Sequence, residues 1–210
     1  MRKIDLENYK RRALLEAFKD RDIPFLSVTA HVDITHLKQF IDENRYGFFV
    51  SISFLISKAV NLVPEFRHRI IGGELFEFEQ VDPGYTVLLD DKTFSFCDSR
   101  HFDGFEEYRI YANEKIKAVR ECPDHSTGEK HHMFFITNLP WFSFTSITHP
   151  HDKKYSSIPV ISLGKFFEQN GSIVIPIGIQ VHHGLVDGIH IGEFYEHLST
   201  MCRMPSVGLR

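Results

Sequence analysis

The sequence predicts an α/β fold, a two-layer sandwich in which helices pack against a mixed β-sheet. Segments with apolar residues at helical spacing alternate with short apolar runs that are bounded by Gly, Pro and Asp. With 210 residues, of which 42% are hydrophobic, the chain can bury a substantial core. No internal repeat, low-complexity segment or linker divides it, so we expect residues 1–210 to form a single domain.

The first part of the chain predicts three helices and one strand. Residues 7–20, 34–43 and 51–63 carry apolar residues at helical spacing, and the third of these helices must end before Pro64. Residues 25–33 alternate enough between apolar and polar to predict a strand.

The rest of the chain is predicted to contribute most of the strands. A helix is expected over residues 103–120, followed by a long polar loop over residues 121–132. Residues 157–168 and 172–181 predict a hairpin, because the dipeptide Asn170-Gly171 between them suits a tight turn. Further strands are predicted over residues 75–79, 85–89, 93–97, 133–137 and 142–148.

The most informative stretch is Gln180-Val181-His182-His183-Gly184-Leu185-Val186-Asp187-Gly188, between a predicted buried strand and a predicted amphipathic helix. A histidine at such a junction is held by the scaffold yet faces a cleft, as a general base requires. Histidine pairs are also common on surfaces and in cores. A metal site formed by His182, His183, Asp187 and His190 is a further alternative. Adjacent histidines on an extended segment point to opposite faces, however, so we expect no metal.

Composition excludes several classes of partner. The net charge is −4 and no cluster of Lys and Arg forms a basic face, so nucleic acid is not expected. The three cysteines, Cys97, Cys122 and Cys202, are widely spaced and predict free thiols in a reducing cytoplasm. The charged N-terminus lacks a signal core, and residues 48–63 are too short and too polar to span a membrane. We therefore expect a cytoplasmic protein with no membrane partner.

The pattern His-His-x-x-x-Asp-Gly, which begins at His182, resembles the signature of the chloramphenicol acetyltransferases. The resemblance covers nearly the whole chain. It implies that family's fold and the transfer of acetyl from acetyl-CoA, a co-substrate, to a hydroxyl of chloramphenicol, with no permanently bound cofactor. It also implies antibiotic resistance and a homotrimer with active sites between subunits. The opening residues 1–12, with Ile4-Asp5 and Lys10-Arg11-Arg12, also resemble the family. Further matching segments are Val63-Pro64-Glu65-Phe66-Arg67, Gly73-Glu74-Leu75, Val81-Asp82-Pro83-Gly84-Tyr85-Thr86-Val87 and Asn138-Leu139-Pro140-Trp141-Phe142-Ser143-Phe144-Thr145-Ser146.

The resemblance implies roles for individual residues. His183 is the expected general base, acting by direct transfer without an acyl-enzyme. Asp187 is expected to pair with Arg11 and to anchor the turn that carries His183. Breaking a buried pair of this kind by removing one partner is expected to cost about 3–5 kcal/mol. Thr137 stands where relatives carry a serine that stabilises the oxyanion. Ser162 stands where they carry a threonine that holds a water near the intermediate.

Substrate contacts are implied in the same way. Lys165 matches a lysine that contacts a coenzyme A phosphate, and Trp141 belongs to the same expected coenzyme A surface. Phe18, Phe25 and Phe94 are the expected walls of the acceptor pocket.

Some positions depart from the family pattern. Phe18 replaces a tyrosine, Gly47 replaces a second lysine, and Thr148-His149-Pro150-His151 is more polar than the segment it replaces. These departures leave open another hydroxylated acceptor. Two further alternatives are an acyltransferase core of a 2-oxo acid dehydrogenase complex and a catalytically silent trimer that binds a small aromatic ligand.

Overall fold

The computed structural model describes residues 1–126, 128–150 and 152–210. The α-helices are α1 (Arg12–Phe18), α2 (Thr35–Asn44), α3 (Phe48–Leu62), α4 (Phe105–Glu121), α5 (Gly188–Arg203) and α6 (Pro205–Gly208). The strands are β1 (Arg2–Lys3), β2 (Phe25–Asp33), β3 (His68–Ile71), β4 (Glu74–Glu77), β5 (Asp82–Leu88), β6 (Phe94–Asp98), β7 (Met133–Asn138), β8 (Val160–Leu163), β9 (Phe167–Gln169) and β10 (Ser172–His182). Single 3₁₀ turns lie at Pro64–Arg67 and Lys153–Tyr155.

The main sheet is mixed, which confirms the expected α/β class. Its strand order is β2-β10-β8-β7-β5-β6, and β9 extends it beside β10. The pairs β5–β7 and β7–β8 are parallel, whereas the other neighbours in this sheet are antiparallel. A smaller antiparallel sheet has the order β1-β4-β3.

Strand β10 lies inside the sheet and leads directly to the histidine pair. It pairs with β2 on one side and with β8 and β9 on the other. Every residue from Val174 to His182 is buried, which explains why this strand is almost uniformly apolar rather than alternating. The strand therefore fixes the place where the His182-His183 pair lies.

The helices cover the sheet through one continuous core. Helix α3 packs against α4 and α5, while α5 also contacts β2. The cluster of buried apolar side chains extends along the chain from Leu15 to Leu209. In the described part of the chain, no helix is long and apolar enough to cross a membrane.

The predicted strand over residues 142–148 is wrong. Those residues form an irregular segment that packs against two glycines, Gly164 and Gly178. A Cβ atom at Gly164 would lie 2.9 Å from the Phe144 ring, and one at Gly178 would lie 2.5 Å from Ile147. The apolar side chains of the segment therefore fill the spaces over two glycines instead of forming a strand.

The hairpin at Asn170-Gly171 is confirmed, with one revision. Strands β9 and β10 pair across this turn, and both turn residues have positive φ, 52° and 81°, as a two-residue hairpin turn requires. The predicted first arm is divided, however, into β8 and β9. The first helix is also shorter than predicted, since α1 begins at Arg12 rather than at residue 7.

Candidate active site

The turn between β10 and α5 holds its histidine pair by backbone hydrogen bonds. The N–H groups of Leu185 and Val186 both donate to the His182 carbonyl, at 2.9 and 3.0 Å. The His183 N–H donates to the Pro24 carbonyl at 2.7 Å, which ties the turn to the residue before β2. The backbone of His183 is therefore fixed from two directions.

The two imidazoles have different environments. His182 is buried, and its Nδ1 accepts the Gly184 N–H at 3.1 Å; burial lowers the pKa of His182 to about 4. His183 is half-buried, and its Nδ1 lies 3.2 Å from the Val186 carbonyl oxygen. Because a carbonyl only accepts, Nδ1 of His183 carries the proton and Nε2 keeps its lone pair. His183 thus has the tautomer of a base that acts through Nε2.

An aromatic ring supports this imidazole. The Phe18 ring, at the end of α1, lies 4.6 Å from the His183 ring at an angle of 56°. The Arg21 guanidinium lies over the Phe18 ring, 4.4 Å from the ring centre. Helix α1 therefore provides one wall beside the candidate base.

Arg11 and Asp187 lie together at the base of the turn. Their side chains are 3.5 Å apart, and Arg11 also donates from Nη2 to the His183 carbonyl at 3.1 Å. The Arg11 side chain is 12% exposed but that of Asp187 is 42% exposed. Within one chain the pair is therefore only partly buried, and the cost expected for a fully buried pair is too high for the chain on its own.

Asp187 has a second function at the start of α5. The Gly188 N–H donates to Oδ1 of Asp187 at 2.7 Å, and the side chain of Asp187 caps the helix. The Gly188 N–H, followed by the positive charge of Arg11, lowers the pKa of Asp187. His190 completes the cap, because its Nδ1 accepts the Asp187 N–H at 3.0 Å.

The contacts at the start of α5 occupy two of the four side chains of the metal alternative, Asp187 and His190. Nδ1 of His190 accepts from Asp187, and its Nε2 faces Glu65 Oε1 at 3.6 Å. Among the residues that the structure describes, no group of three His, Cys, Asp or Glu side chains has an arrangement suited to a metal ion.

A second group of predicted residues lies in the middle of the sheet. Thr137 on β7 is paired in register with Ser162 on β8. Thr137, Phe94 and His149 line a cavity of about 380 Å³ that opens on this part of the sheet. An adjoining groove of about 470 Å³ shares Phe94 and Thr137 and extends to Trp141.

The two groups are separate within one chain. Ser162 is paired with Gly178 of β10, whereas His183 lies five residues further along. At about 3.3 Å per residue, the strand places these two positions roughly 16 Å apart. A single chain therefore does not bring the candidate base to the cavity.

The remaining predicted residues lie near these two groups. Phe25 opens β2 and is paired in register with His182, so it belongs with the His183 turn. Trp141 is exposed, and Lys165 follows β8 with an exposed side chain. The Lys165 N–H donates to the Phe142 carbonyl at 2.8 Å, which keeps the lysine beside the tryptophan segment.

Comparison with known proteins decides the family. The family model described as chloramphenicol acetyltransferase matches residues 1–199. The chain belongs to the chloramphenicol acetyltransferase family. It is 33% identical over 209 residues to chloramphenicol acetyltransferase 2 of Escherichia coli, covering 95% of this chain and 96% of that protein. It is therefore an acyltransferase.

Solved structures agree with this family assignment. A chloramphenicol acetyltransferase structure superposes with a TM-score of 0.90 at 26% identity, covering 96% of this chain and all of that chain. A dihydrolipoamide acetyltransferase from Azotobacter vinelandii superposes with a TM-score of 0.70 at 17% identity, over 90% of this chain and 85% of that one. The second likeness concerns the fold alone.

One polar residue of the cavity was not singled out by the family pattern. Nε2 of His149 lies 2.6 Å from Oγ of Ser162, and burial lowers the pKa of His149. The available signal was the unusual polarity of residues 148–151, of which His151 lies outside the described residues. Pattern matching identified Ser162 but could not show that His149 covers it.

Proposed function

We propose that this acyltransferase moves an acetyl group from acetyl-CoA to a hydroxyl of chloramphenicol, with His183 as general base. The observation that carries the proposal is the orientation of the His183 ring, whose Nδ1 faces the Val186 carbonyl and whose Nε2 is left as a base. The close relatives whose length this chain nearly matches are named for the same acetyl transfer.

The reaction begins when Nε2 of His183 removes the hydroxyl proton as the alcohol oxygen attacks the thioester carbonyl. The resulting tetrahedral intermediate carries a negative oxygen. Its collapse breaks the carbon–sulfur bond, and the leaving thiolate takes the proton from the imidazolium. A positioned general base contributes about 10²–10⁴-fold to such a step. The Phe18 ring and the bound Nδ1 keep the imidazole in the orientation that this transfer needs.

Thr137 is the donor proposed for the negative oxygen. Thr137 lines the cavity beside Phe94, and its place on a paired strand fixes the backbone that carries the hydroxyl. A donor fixed in advance is worth roughly 3 kcal/mol of transition-state stabilisation.

The proposed assembly is a homotrimer with each active site between two subunits. Support comes from the separation of roughly 16 Å between the His183 position and Ser162 along β10. In the trimer, the His183 turn of one subunit faces the cavity at Thr137 of its neighbour. Closed cyclic symmetry then produces three equivalent sites.

Acetyl-CoA is the proposed co-substrate, with no permanently bound cofactor. The groove beside Thr137 ends at the exposed Trp141 ring, which offers an apolar surface. The ammonium of Lys165 is exposed nearby and suits a phosphate group of coenzyme A. Acetyl-CoA supply and the free cysteines are consistent with action in the cytoplasm, where acetylation of the drug would confer resistance.

A different hydroxylated acceptor is the second candidate. The cavity wall contains His149 and the ion pair of Lys130 with Asp98, whose charged atoms are 2.9 Å apart. These polar groups favour an acceptor that is rich in hydrogen-bonding groups, whereas an apolar pocket would favour an acceptor with few.

A thiol-release assay with purified protein and acetyl-CoA tests the proposal. Release that depends on chloramphenicol is the expected result, and the acetylated product can be identified by mass spectrometry. Release that requires another alcohol would support the second candidate. Absence of release with chloramphenicol and with a panel of alcohols would refute the proposed reaction.

A further inference from the structure

His149 covers Ser162 at the wall of the cavity. Ser162 is 1% exposed, and its Oγ lies 2.6 Å from Nε2 of His149. His149 itself lines the cavity together with Phe94 and Thr137. The polar group that meets an acceptor at this wall is therefore the imidazole and not the serine hydroxyl behind it.

We propose that His149 is a specificity-determining residue, whose Nδ1–H donates a hydrogen bond to an oxygen of the acceptor. This inference rests on the proposed function and deepens it, because it names the group that recognises the acceptor. The substrate class is an alcohol that carries another oxygen lone pair besides the hydroxyl that is acetylated. Chloramphenicol belongs to this class through its nitro, amide and second hydroxyl groups.

Ser162 sets the ring tautomer that this recognition needs. Oγ of Ser162 lies 2.6 Å from Nε2 of His149. In the proposed arrangement the serine hydroxyl donates to Nε2, which places the single proton of the neutral ring on Nδ1. Burial lowers the pKa of His149, which favours the neutral ring. Among residues 1–126, 128–150 and 152–210, the side-chain hydrogen bond of this ring is the one between Nε2 and Ser162, and we assign Nδ1 to the acceptor.

The backbone of His149 is held in place by Gln180 of β10. The His149 N–H donates to Oε1 of Gln180 at 2.9 Å, and Nε2 of Gln180 donates to the His149 carbonyl at 3.4 Å. Gln180 is buried in the sheet. The imidazole therefore enters the cavity from a fixed point, and little conformational entropy is lost when it binds an acceptor.

Two amide substitutions separate the two ring nitrogens. His149→Asn places an amide N–H near the position of Nδ1 but does not reach Ser162, whereas His149→Gln reaches Ser162 but leaves the Nδ1 position empty. We expect His149→Gln and His149→Leu to weaken the binding of chloramphenicol by about tenfold, because each variant loses one hydrogen bond. The change should be seen chiefly in the KM for the acceptor. His149→Asn should stay within about threefold of the wild type, and the KM for acetyl-CoA should not change in any variant.

A matched control exists elsewhere in the chain. Nδ1 of His101 lies 2.8 Å from Oγ of Ser57, a contact of the same kind away from the residues that line the cavity. His101→Leu should lower thermal stability without changing the KM for chloramphenicol. Ser162→Ala keeps the imidazole but removes the hydroxyl that sets its tautomer. It should weaken the binding of chloramphenicol by only about threefold.

The experiment measures kcat and KM for chloramphenicol by thiol release, and the dissociation constant by calorimetry without acetyl-CoA. The expected order of affinity is wild type, His149→Asn, then His149→Gln and His149→Leu together. An unchanged acceptor KM in His149→Leu, or equal losses in His149→Asn and His149→Leu, would overturn the inference alone. Wild-type protein that neither binds chloramphenicol nor releases thiol would overturn both the inference and the proposed function.

Discussion

The two contacts of Asp187 can be separated by a pair of substitutions. Asp187→Ala removes the cap on α5 and the partner of Arg11, whereas Asp187→Asn keeps an N-cap oxygen and removes only the negative charge. The lost cap costs about 1 kcal/mol. The partly exposed ion pair, at 3.5 Å, adds up to about 1 kcal/mol.

These magnitudes predict two distinct shifts in melting temperature. For a chain of 210 residues, each kcal/mol lowers Tm by about 2–4 °C. Asp187→Ala should therefore lose about 4–8 °C and Asp187→Asn about 2–4 °C. Both should lose activity, by about tenfold for Asp187→Asn, because Arg11 also holds the His183 carbonyl and shifts when its partner is neutral.

The assay is thermal unfolding at one protein concentration, since an oligomer's Tm depends on concentration, together with kcat/KM. Asp42→Asn is the matched control, because Asp42 pairs with Lys38 on the surface of α2. It should cost less than about 0.5 kcal/mol and leave activity unchanged. Equal Tm losses in Asp187→Ala and Asp187→Asn would refute the role of the cap. Full activity in both would refute the anchoring role of the ion pair.

Three further predictions concern the same turn. His183→Ala and Thr137→Phe should each be inactive alone, but co-expressing them should restore about a quarter of wild-type activity in mixed trimers. With equal mixing, one site in four combines an intact His183 with an intact Thr137 of the neighbouring subunit. No recovery would count against sites shared between subunits. As pH falls below about 4, the stability advantage of wild type over Asp187→Asn should shrink. The pKa of Asp187 is lowered in the folded state, so the stabilisation by its charge is lost when the carboxylate is protonated. A constant Tm difference between about pH 3 and 7 would contradict this. Phe18→Leu should reduce kcat more than acceptor KM, because the Phe18 ring packs on the His183 ring; an unchanged kcat would show that this contact does not position the base.

The sequence predicted the fold where local pattern and burial agree. Residues 25–33 have the same bounds in β2, and Asn170-Gly171 forms the expected turn because both residues adopt positive φ. Residues 142–148 failed because their apolar side chains pack over Gly164 and Gly178. That packing is a tertiary contact, and local spacing of apolar residues carries no information about it.

The candidate site was predictable only in part. The motif located His183 and Asp187, and the resemblance identified Arg11 as the partner, 3.5 Å from Asp187. The exposure of Asp187 could not be read from the chain, because it depends on how the N-terminus of α5 faces solvent. The His149–Ser162 contact, at 2.6 Å, joins a loop to a strand and has no local sequence signal.

The role of His183 as general base is tested most directly by kcat for His183→Ala and His183→Gln, measured with acetyl-CoA and saturating chloramphenicol. Both variants should lose about 10²–10⁴-fold in kcat, because neither has a group that can take the hydroxyl proton. Their melting temperatures should stay close to that of the wild type, since the backbone N–H of residue 183 still donates to the Pro24 carbonyl. A kcat within about tenfold of the wild type in either variant would contradict the role of His183 as the general base.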